Sequence, residues 1–358
     1  MKATAQLQQL GQSLWLDNIT REMLDSGKLE RYIDEFSISG LTSNPSIFDK
    51  AIKSGAYDEE IRNRKAQVVD REMLFFELAI EDLRRAADLF APIHQRTAGV
   101  DGWVSLEVSP LLAYDTARSV QAAVDLHARA ARENVFIKIP GTEQGLPAVE
   151  EAIFAGVPVN VTLLFSREQY LASAGAYMRG IERRIEAGLG PNVPSVASVF
   201  ISRWDAAVIG RVSEQLRARL GLAVGLKTYQ AYRRLMDSNR WQRLANAGAR
   251  TQRLLWASTS TKDPDSPDTM YIDGLRAPHT INTMPESTLR AFADHGQVGE
   301  PIADDGGDAE ATLAQFEAAG IDVGMLAATL QSDGARSFVE SWEDLLNRID
   351  DQVAAVAA

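Results

Sequence analysis

Lys138 lies in the run Val135-Phe-Ile-Lys-Ile-Pro140, an amine between two isoleucines on a predicted buried strand. Lysine is seldom buried unless it is paired or chemically active. Burial disfavours the ammonium form, and a free amine can attack a carbonyl carbon. Taken alone, the segment reads first as a structural lysine whose head group escapes at the strand end or meets a carboxylate. Other residues reverse that order. Ser105 with Glu107, Thr42 with Asn44, Asn160 with Thr162, Ser198 with Phe200, and Ser258 with Ser260 are each two positions apart, so each pair is expected on one face of a strand. Asp17 occupies an equivalent place in Leu14-Trp-Leu-Asp-Asn-Ile19. Glu107, between Leu106 and Val108, is a poor core residue unless an ion pair holds it, and Lys138 is the obvious partner. Together they predict a polar pocket at strand ends around Lys138, with the amine either a nucleophile or one half of a structural Glu107–Lys138 ion pair.

Such a pocket needs strands that all end in one place. Short apolar segments recur at Leu14–Ile19, Gly40–Phe48, Val104–Val108, Val135–Pro140, Pro158–Phe165, Ser195–Ile201, Leu254–Ser260 and Thr280–Met284, each followed by a helical pattern. This alternation predicts parallel β/α units, and eight of them close into a barrel whose usual length is about 250 residues. The expected fold is therefore an α/β protein, a (β/α)8 TIM barrel forming a single domain over residues 1–358. The surplus length is assigned to extra helices: an N-terminal one, a largely helical insertion at 49–100 (heptad-like from Asp58 to Gln95), and C-terminal helices at about 306–357 packed on the barrel. A doubly wound open sheet is the rival fold. No glycine-rich turn of the dinucleotide or phosphate-loop type follows any strand, which counts against it.

The 358 residues are 45 % hydrophobic and 24 % charged, enough for one well-buried core. A net charge of −12 without any lysine/arginine block argues against nucleic acid or an anionic membrane as partner. A phosphorylated small molecule needs only one or two local arginines. With no cysteine, disulfides, thiolate metal sites and a cysteine nucleophile are excluded. Met1–Ser13 is polar and glutamine-rich, with no apolar signal core, and the expected compartment is the cytoplasm. His94, His127, His279 and His295 are scattered without metal-ligand spacing, and Asp263, Asp265 and Asp268 do not fit a calcium loop, so no metal is expected. There is no Gly-x-Ser-x-Gly elbow for a serine hydrolase.

In order along the chain, Leu14-Trp-Leu-Asp-Asn-Ile19, Gly40-Leu-Thr-Ser-Asn-Pro-Ser46, Ser105-Leu-Glu-Val-Ser109, Val135-Phe-Ile-Lys-Ile-Pro140 and Val159-Asn-Val-Thr-Leu-Leu164 resemble the blocks of the transaldolase family. Ser195–Arg203 and Trp256–Ser260 continue the resemblance, which runs from the first strand to the last. It implies a Schiff-base barrel enzyme of the pentose phosphate pathway. Such an enzyme moves a dihydroxyacetone unit from sedoheptulose 7-phosphate or fructose 6-phosphate to glyceraldehyde 3-phosphate or erythrose 4-phosphate, without metal or organic cofactor. The resemblance gives Lys138 the attack on the C2 carbonyl and Asp17 the acid/base work at the C4 hydroxyl. Glu107 and Thr162 match the pair that handles a catalytic water. Thr42, Asn44, Asn160 and Ser198 would bind hydroxyls of the three-carbon unit, Arg203 the phosphate, and Ser258 would assist Arg203. Many family members carry a second arginine two residues after that serine. Here Ser260 stands there, followed by Thr261 and Lys262, so the second phosphate ligand is left open among Ser260, Lys262 and some other residue.

Two other functions compete with transfer. A fructose 6-phosphate aldolase on the same barrel would share the Lys138 chemistry and release dihydroxyacetone. Phe200 has no hydroxyl to position water or a proton, which favours transfer over release. A non-catalytic sugar-phosphate-binding barrel is the more distant reading. It does not account for Lys138, Glu107, Asp17 and Thr162 together, since binding alone needs no buried amine.

Overall fold

Period-two alternation separates the inside of the barrel from its outside. In the computed structural model, which describes residues 2–64 and 70–355, eight strands run parallel in sequence order and close on themselves. They are β1 (Ser13–Asp17), β2 (Gly40–Thr42), β3 (Trp103–Glu107), β4 (Val135–Pro140), β5 (Val159–Leu164), β6 (Ser195–Phe200), β7 (Gln252–Ala257) and β8 (Ile281–Met284). β8 pairs back onto β1, with Trp15 opposite Thr283. The expected (β/α)8 barrel with added helices is thus the observed one.

On β4, Val135, Ile137 and Ile139 join the core layer under the surrounding helices, while Phe136 stacks on Trp103 with ring centroids 4.1 Å apart. Lys138, two residues beyond Phe136, shares that inward direction. Trp15, Trp103 and Phe136, all buried, therefore plug the barrel on the N-terminal side of the amine. Burying each ring contributes on the order of 2–3 kcal/mol. Gly40 makes room for the plug, because a Cβ there would lie 2.7 Å from the Trp15 ring.

Two strands stop well short of the ends of the segments the sequence predicts. The segment Gly40–Phe48 is a strand only to Thr42, because Pro45 opens a helix (Pro45–Lys53) that Asn44 caps by accepting from the Ile47 N–H at 3.1 Å. Leu254–Ser260 is a strand only to Ala257, since Ser258 turns into left-handed backbone at φ 55. Asn44, Ser258 and Ser260 thus sit on loops at strand ends, and the expected Thr42/Asn44 and Ser258/Ser260 strand pairs do not exist as such.

The 49–100 insertion is helical as expected, with helices Asp58–Arg64 and Arg71–Arg96. Residues 65–69 of the heptad-like stretch lie outside the described residues, as do 356 and 357 of the C-terminal segment. A buried carboxylate ties the insertion to the barrel. Asp82 accepts from Arg21 Nε at 3.0 Å and from the Tyr57 hydroxyl at 2.6 Å. The C-terminal segment forms helices Ala309–Ala318 and Val323–Ala355. The longer one lies across Pro45–Lys53, with Ser341 Oγ 2.7 Å from Ser46 Oγ and Arg348 Nε donating to Asp49 at 2.7 Å. Trp342 sits edge-on to Phe75 at 4.8 Å, and Leu345 and Leu346 are buried in the same core. This face of the helix packs on its own chain.

Candidate active site

Strand register brings the central groups level with one another. Glu107 on β3 pairs with Lys138 on β4, which pairs with Asn160 on β5, while Asp17 on β1 pairs with Thr42 on β2. The Lys138 ammonium donates to the Ser43 carbonyl at 2.9 Å and lies 3.1 Å from Glu107 Oε2. Both residues are only 5 % exposed. Burial, helped by the charge of Asp17, raises the Glu107 pKa against the opposing pull of Lys138. Glu107 is therefore a carboxylate able to take a proton and to give one back.

Asp17 accepts from the Thr42 hydroxyl at 2.7 Å. Thr42 has one proton and spends it on Asp17, so in the 2.7 Å contact between Thr42 and Thr283 the donor is Thr283. Burial raises the Asp17 pKa, opposed by Lys138, the Thr42 hydrogen bond and Lys262. Two carboxyl groups with raised pKa values thus flank one amine, an arrangement suited to moving protons during carbonyl chemistry.

On the other side, Ser198 Oγ donates to Asn160 Oδ1 at 2.7 Å, and Asn160 Nδ2 donates to Ser105 Oγ at 3.2 Å. This belt spans β6, β5 and β3 and fixes the Asn160 carboxamide. The Thr162 hydroxyl and Glu107 Oε1 are buried and have no hydrogen-bond partner among the described residues. Buried orphans of this kind are suited to a reacting water or a substrate hydroxyl. Asn44 lies on the loop after β2, with its side-chain oxygen occupied in capping the helix that follows.

Phe200, Arg203 and Ser258 lie together on the β6–β7 side. Arg203 lies over the Phe200 ring at 5.3 Å and the Phe338 ring at 5.9 Å, with no carboxylate in ion-pair range among the described residues. Burial lowers its pKa. Ser258 Oγ is 2.8 Å from Ser202 Oγ, one residue before Arg203. Lys262 donates to Ser260 at 2.8 Å, and its pKa is lowered by burial and then by the nearby cations Arg203 and Lys50. Lys50 and Asp17 line a cavity of about 340 Å³ at the mouth. In a chain of net charge −12, the cations Arg203 and Lys50 near Lys262, with Asp17 as the opposing charge on it, are suited to receiving an anion.

Sequence reasoning missed Ser43, whose carbonyl holds the amine, and Thr283, whose hydroxyl orders Thr42. Thr283 is two residues beyond Ile281 on β8, so the same alternation could have found it. Lys50 left no such signal, because it comes from a helix.

A family model described as Transaldolase/Fructose-6-phosphate aldolase matches residues 14–349. A protein named Transaldolase from Parafrankia sp. (strain EAN1pec) is 43 % identical over 367 residues, with 100 % of both chains covered. One of the same name from Thermobifida fusca (strain YX) is 44 % identical over 360 residues, covering 98 % of each. Another, from Mycobacterium bovis (strain BCG / Pasteur 1173P2), is 42 % identical over 353 residues, covering 96 % of this chain and 95 % of that one.

Proposed function

The chain belongs to the transaldolase/fructose-6-phosphate aldolase family, and we propose that its transaldolase activity runs through a Schiff base on Lys138. One observation carries this reading: an amine inside the barrel, held by the Ser43 carbonyl and set 3.1 Å from Glu107. The substrates are phosphorylated sugars. Sedoheptulose 7-phosphate and fructose 6-phosphate are the donors in this reading, and glyceraldehyde 3-phosphate and erythrose 4-phosphate the acceptors.

The steps follow from the groups present. Glu107 takes a proton from Lys138, and the free amine adds to the C2 carbonyl. Loss of water, its proton supplied through Glu107 and the Thr162 hydroxyl, leaves a protonated imine. Asp17 removes the C4 hydroxyl proton, and the C3–C4 bond breaks. Its electron pair moves into the imine to give an enamine, and the aldose phosphate departs. The enamine carbon then attacks the aldehyde of the acceptor, Asp17 returns its proton to the new alkoxide, and water hydrolyses the imine to regenerate Lys138. Thr42, Asn44, Asn160 and Ser198 hold the three-carbon unit. Arg203 and Ser258 bind the phosphate, with Lys262 as the second cation that replaces the missing arginine. Release of dihydroxyacetone is the less favoured outcome, because Phe200 offers no proton.

Borohydride reduction in the presence of fructose 6-phosphate tests the reading. A reduced three-carbon adduct on Lys138, found by peptide mass spectrometry, supports nucleophile and carbon–carbon cleavage together. No adduct in folded, sugar-binding protein would reduce the chain to a binding barrel. The same reading treats barrel and C-terminal helices as one folding unit in the cytoplasm. A single cooperative calorimetric transition and recovery in the cytosolic fraction are the checks.

A further inference from the structure

We propose that Gln331, on the C-terminal helix, is a positioning residue that sets the strand ends carrying Lys138 and Thr162. The proposal rests on the reading that these two residues act in Schiff-base chemistry.

β5 is irregular at its end. Val161 lies opposite Ala197 and Leu164 opposite Val199, so three steps on β5 match two on β6. The extra residue makes a bulge, a device that re-aims side chains near sites. Within it Leu163 adopts φ 58, a left-handed conformation that costs a residue with a side chain about 1–2 kcal/mol. Thr162 immediately precedes this residue. At the end of β4, three residues after Lys138, the Gly141 N–H donates to the Thr162 carbonyl at 2.7 Å.

One side chain clamps both ends. Gln331 Nε2 donates to the Leu163 carbonyl at 2.9 Å and to the Gly141 carbonyl at 3.0 Å. Both partners are acceptors only, which fixes the orientation of the carboxamide. Three residues further along the helix, a Cβ at Gly334 would lie 3.0 Å from Leu163 Cδ2 and 3.2 Å from Arg203 Nη1. Glycine inside a helix costs about 1 kcal/mol relative to alanine, and here it lets the helix reach the bulge. Phe338, one turn beyond, meets Arg203 from the same face. The helix thus rests its Gln331–Gly334–Phe338 face on the bulge and the phosphate-site arginine. Without the Gln331 amide, two carbonyls lose their donor and the strained bulge loses a restraint, which shifts Thr162 relative to Glu107 and Lys138.

The test compares wild type with Gln331→Leu, which lacks donors, Gln331→Glu, which points a carboxylate at the carbonyls, and Gln331→Lys, which restores donors at similar reach. Transfer from fructose 6-phosphate to erythrose 4-phosphate should show kcat lowered about 10- to 100-fold in the Leu and Glu variants. KM should stay within about twofold of wild type, as expected for lost positioning without lost binding. The Lys variant should recover most of kcat, and the rate of borohydride-trapped adduct should follow kcat. A folded Leu variant with wild-type kcat would overturn the proposal. Should that variant fail to fold, equal kcat in the Glu and Lys variants would overturn it. Wild-type trapping is measured first. No adduct there sinks the Schiff-base reading and this proposal with it, whereas a wild-type adduct with unmoved variant kcat sinks this proposal alone.

Discussion

Lys138 and Glu107 occupy paired positions on adjacent strands, and their charged ends meet at 3.1 Å inside the barrel. A buried ion pair is a poor way to gain stability, because desolvating both charges offsets most of their attraction. Removing one partner is worse, since the other is left buried and uncompensated. Lys138→Ala should therefore abolish transfer and lower stability by roughly 3–5 kcal/mol while keeping the fold. The double variant Lys138→Met/Glu107→Leu should regain wild-type stability or exceed it, still without activity. Denaturant melts and transfer assays on the three variants decide this. Substantial transfer by Lys138→Ala would refute the mechanism.

The carboxyl of Asp17 carries a stability cost that depends on pH. Its pKa is raised by burial, so the folded state binds its proton more tightly than the unfolded chain. The associated stabilisation is complete below the unfolded value, near about 3.9, and is lost as pH rises through the higher folded value. A carboxamide in its place has no such proton to lose and can still accept from Thr42. The melting temperature of Asp17→Asn minus that of wild type should accordingly grow from about pH 4 toward pH 7. Its kcat should fall by about 10²- to 10⁴-fold. A difference that shrinks with rising pH would contradict the sign argued here.

Under the proposed assignment, phosphate recognition should divide unequally between a planar and a point cation. Arg203 has no carboxylate partner among the described residues and lies over the faces of the Phe200 and Phe338 rings. Arg203→Ala should raise KM for fructose 6-phosphate roughly 10- to 100-fold. Its effect with unphosphorylated fructose should be small. Lys262→Met should act in the same direction but more weakly. Because burial and its cationic neighbours lower the Lys262 pKa, wild type should lose this advantage at alkaline pH sooner than an ordinary lysine would allow. Equal effects on phosphorylated and free sugar would remove both residues from the phosphate site.

Much of the fold and the centre of the site were legible because both follow local rules. Alternation placed Phe136 and Lys138 on one face and the isoleucines on the other, and repeated β/α punctuation implied the barrel. Strand ends were harder. A proline ends β2, and an unadvertised left-handed serine ends β7. The bulge at Leu163 was invisible, since leucine carries no signal for positive φ. Gln331 was equally hidden, because its partners lie 190 and 168 positions away and its polarity on a helix suggests only a wet face. The packing of Trp342 on Phe75 was undecidable for the same reason, as it depends on where a distant helix comes to rest.

Phe200 bears on the choice between transfer and release. It is buried, 5.3 Å from the Phe165 ring and 5.3 Å from the Arg203 guanidinium. Transfer requires the enamine to survive until an aldehyde arrives, so the site must not protonate it. A phenyl ring has no proton to give. Phe200→Tyr adds one hydroxyl near the same position, able to donate a proton or order a water that does so. Release of free dihydroxyacetone from fructose 6-phosphate without acceptor should then rise by at least about tenfold. Transfer to erythrose 4-phosphate should fall or hold steady, lowering the transfer-to-release ratio. Coupled assays for dihydroxyacetone and sedoheptulose 7-phosphate measure the two rates side by side. An unchanged ratio in a folded variant would mean that groups other than residue 200 protect the enamine, with the neighbouring Ser198–Asn160–Ser105 belt the next to examine.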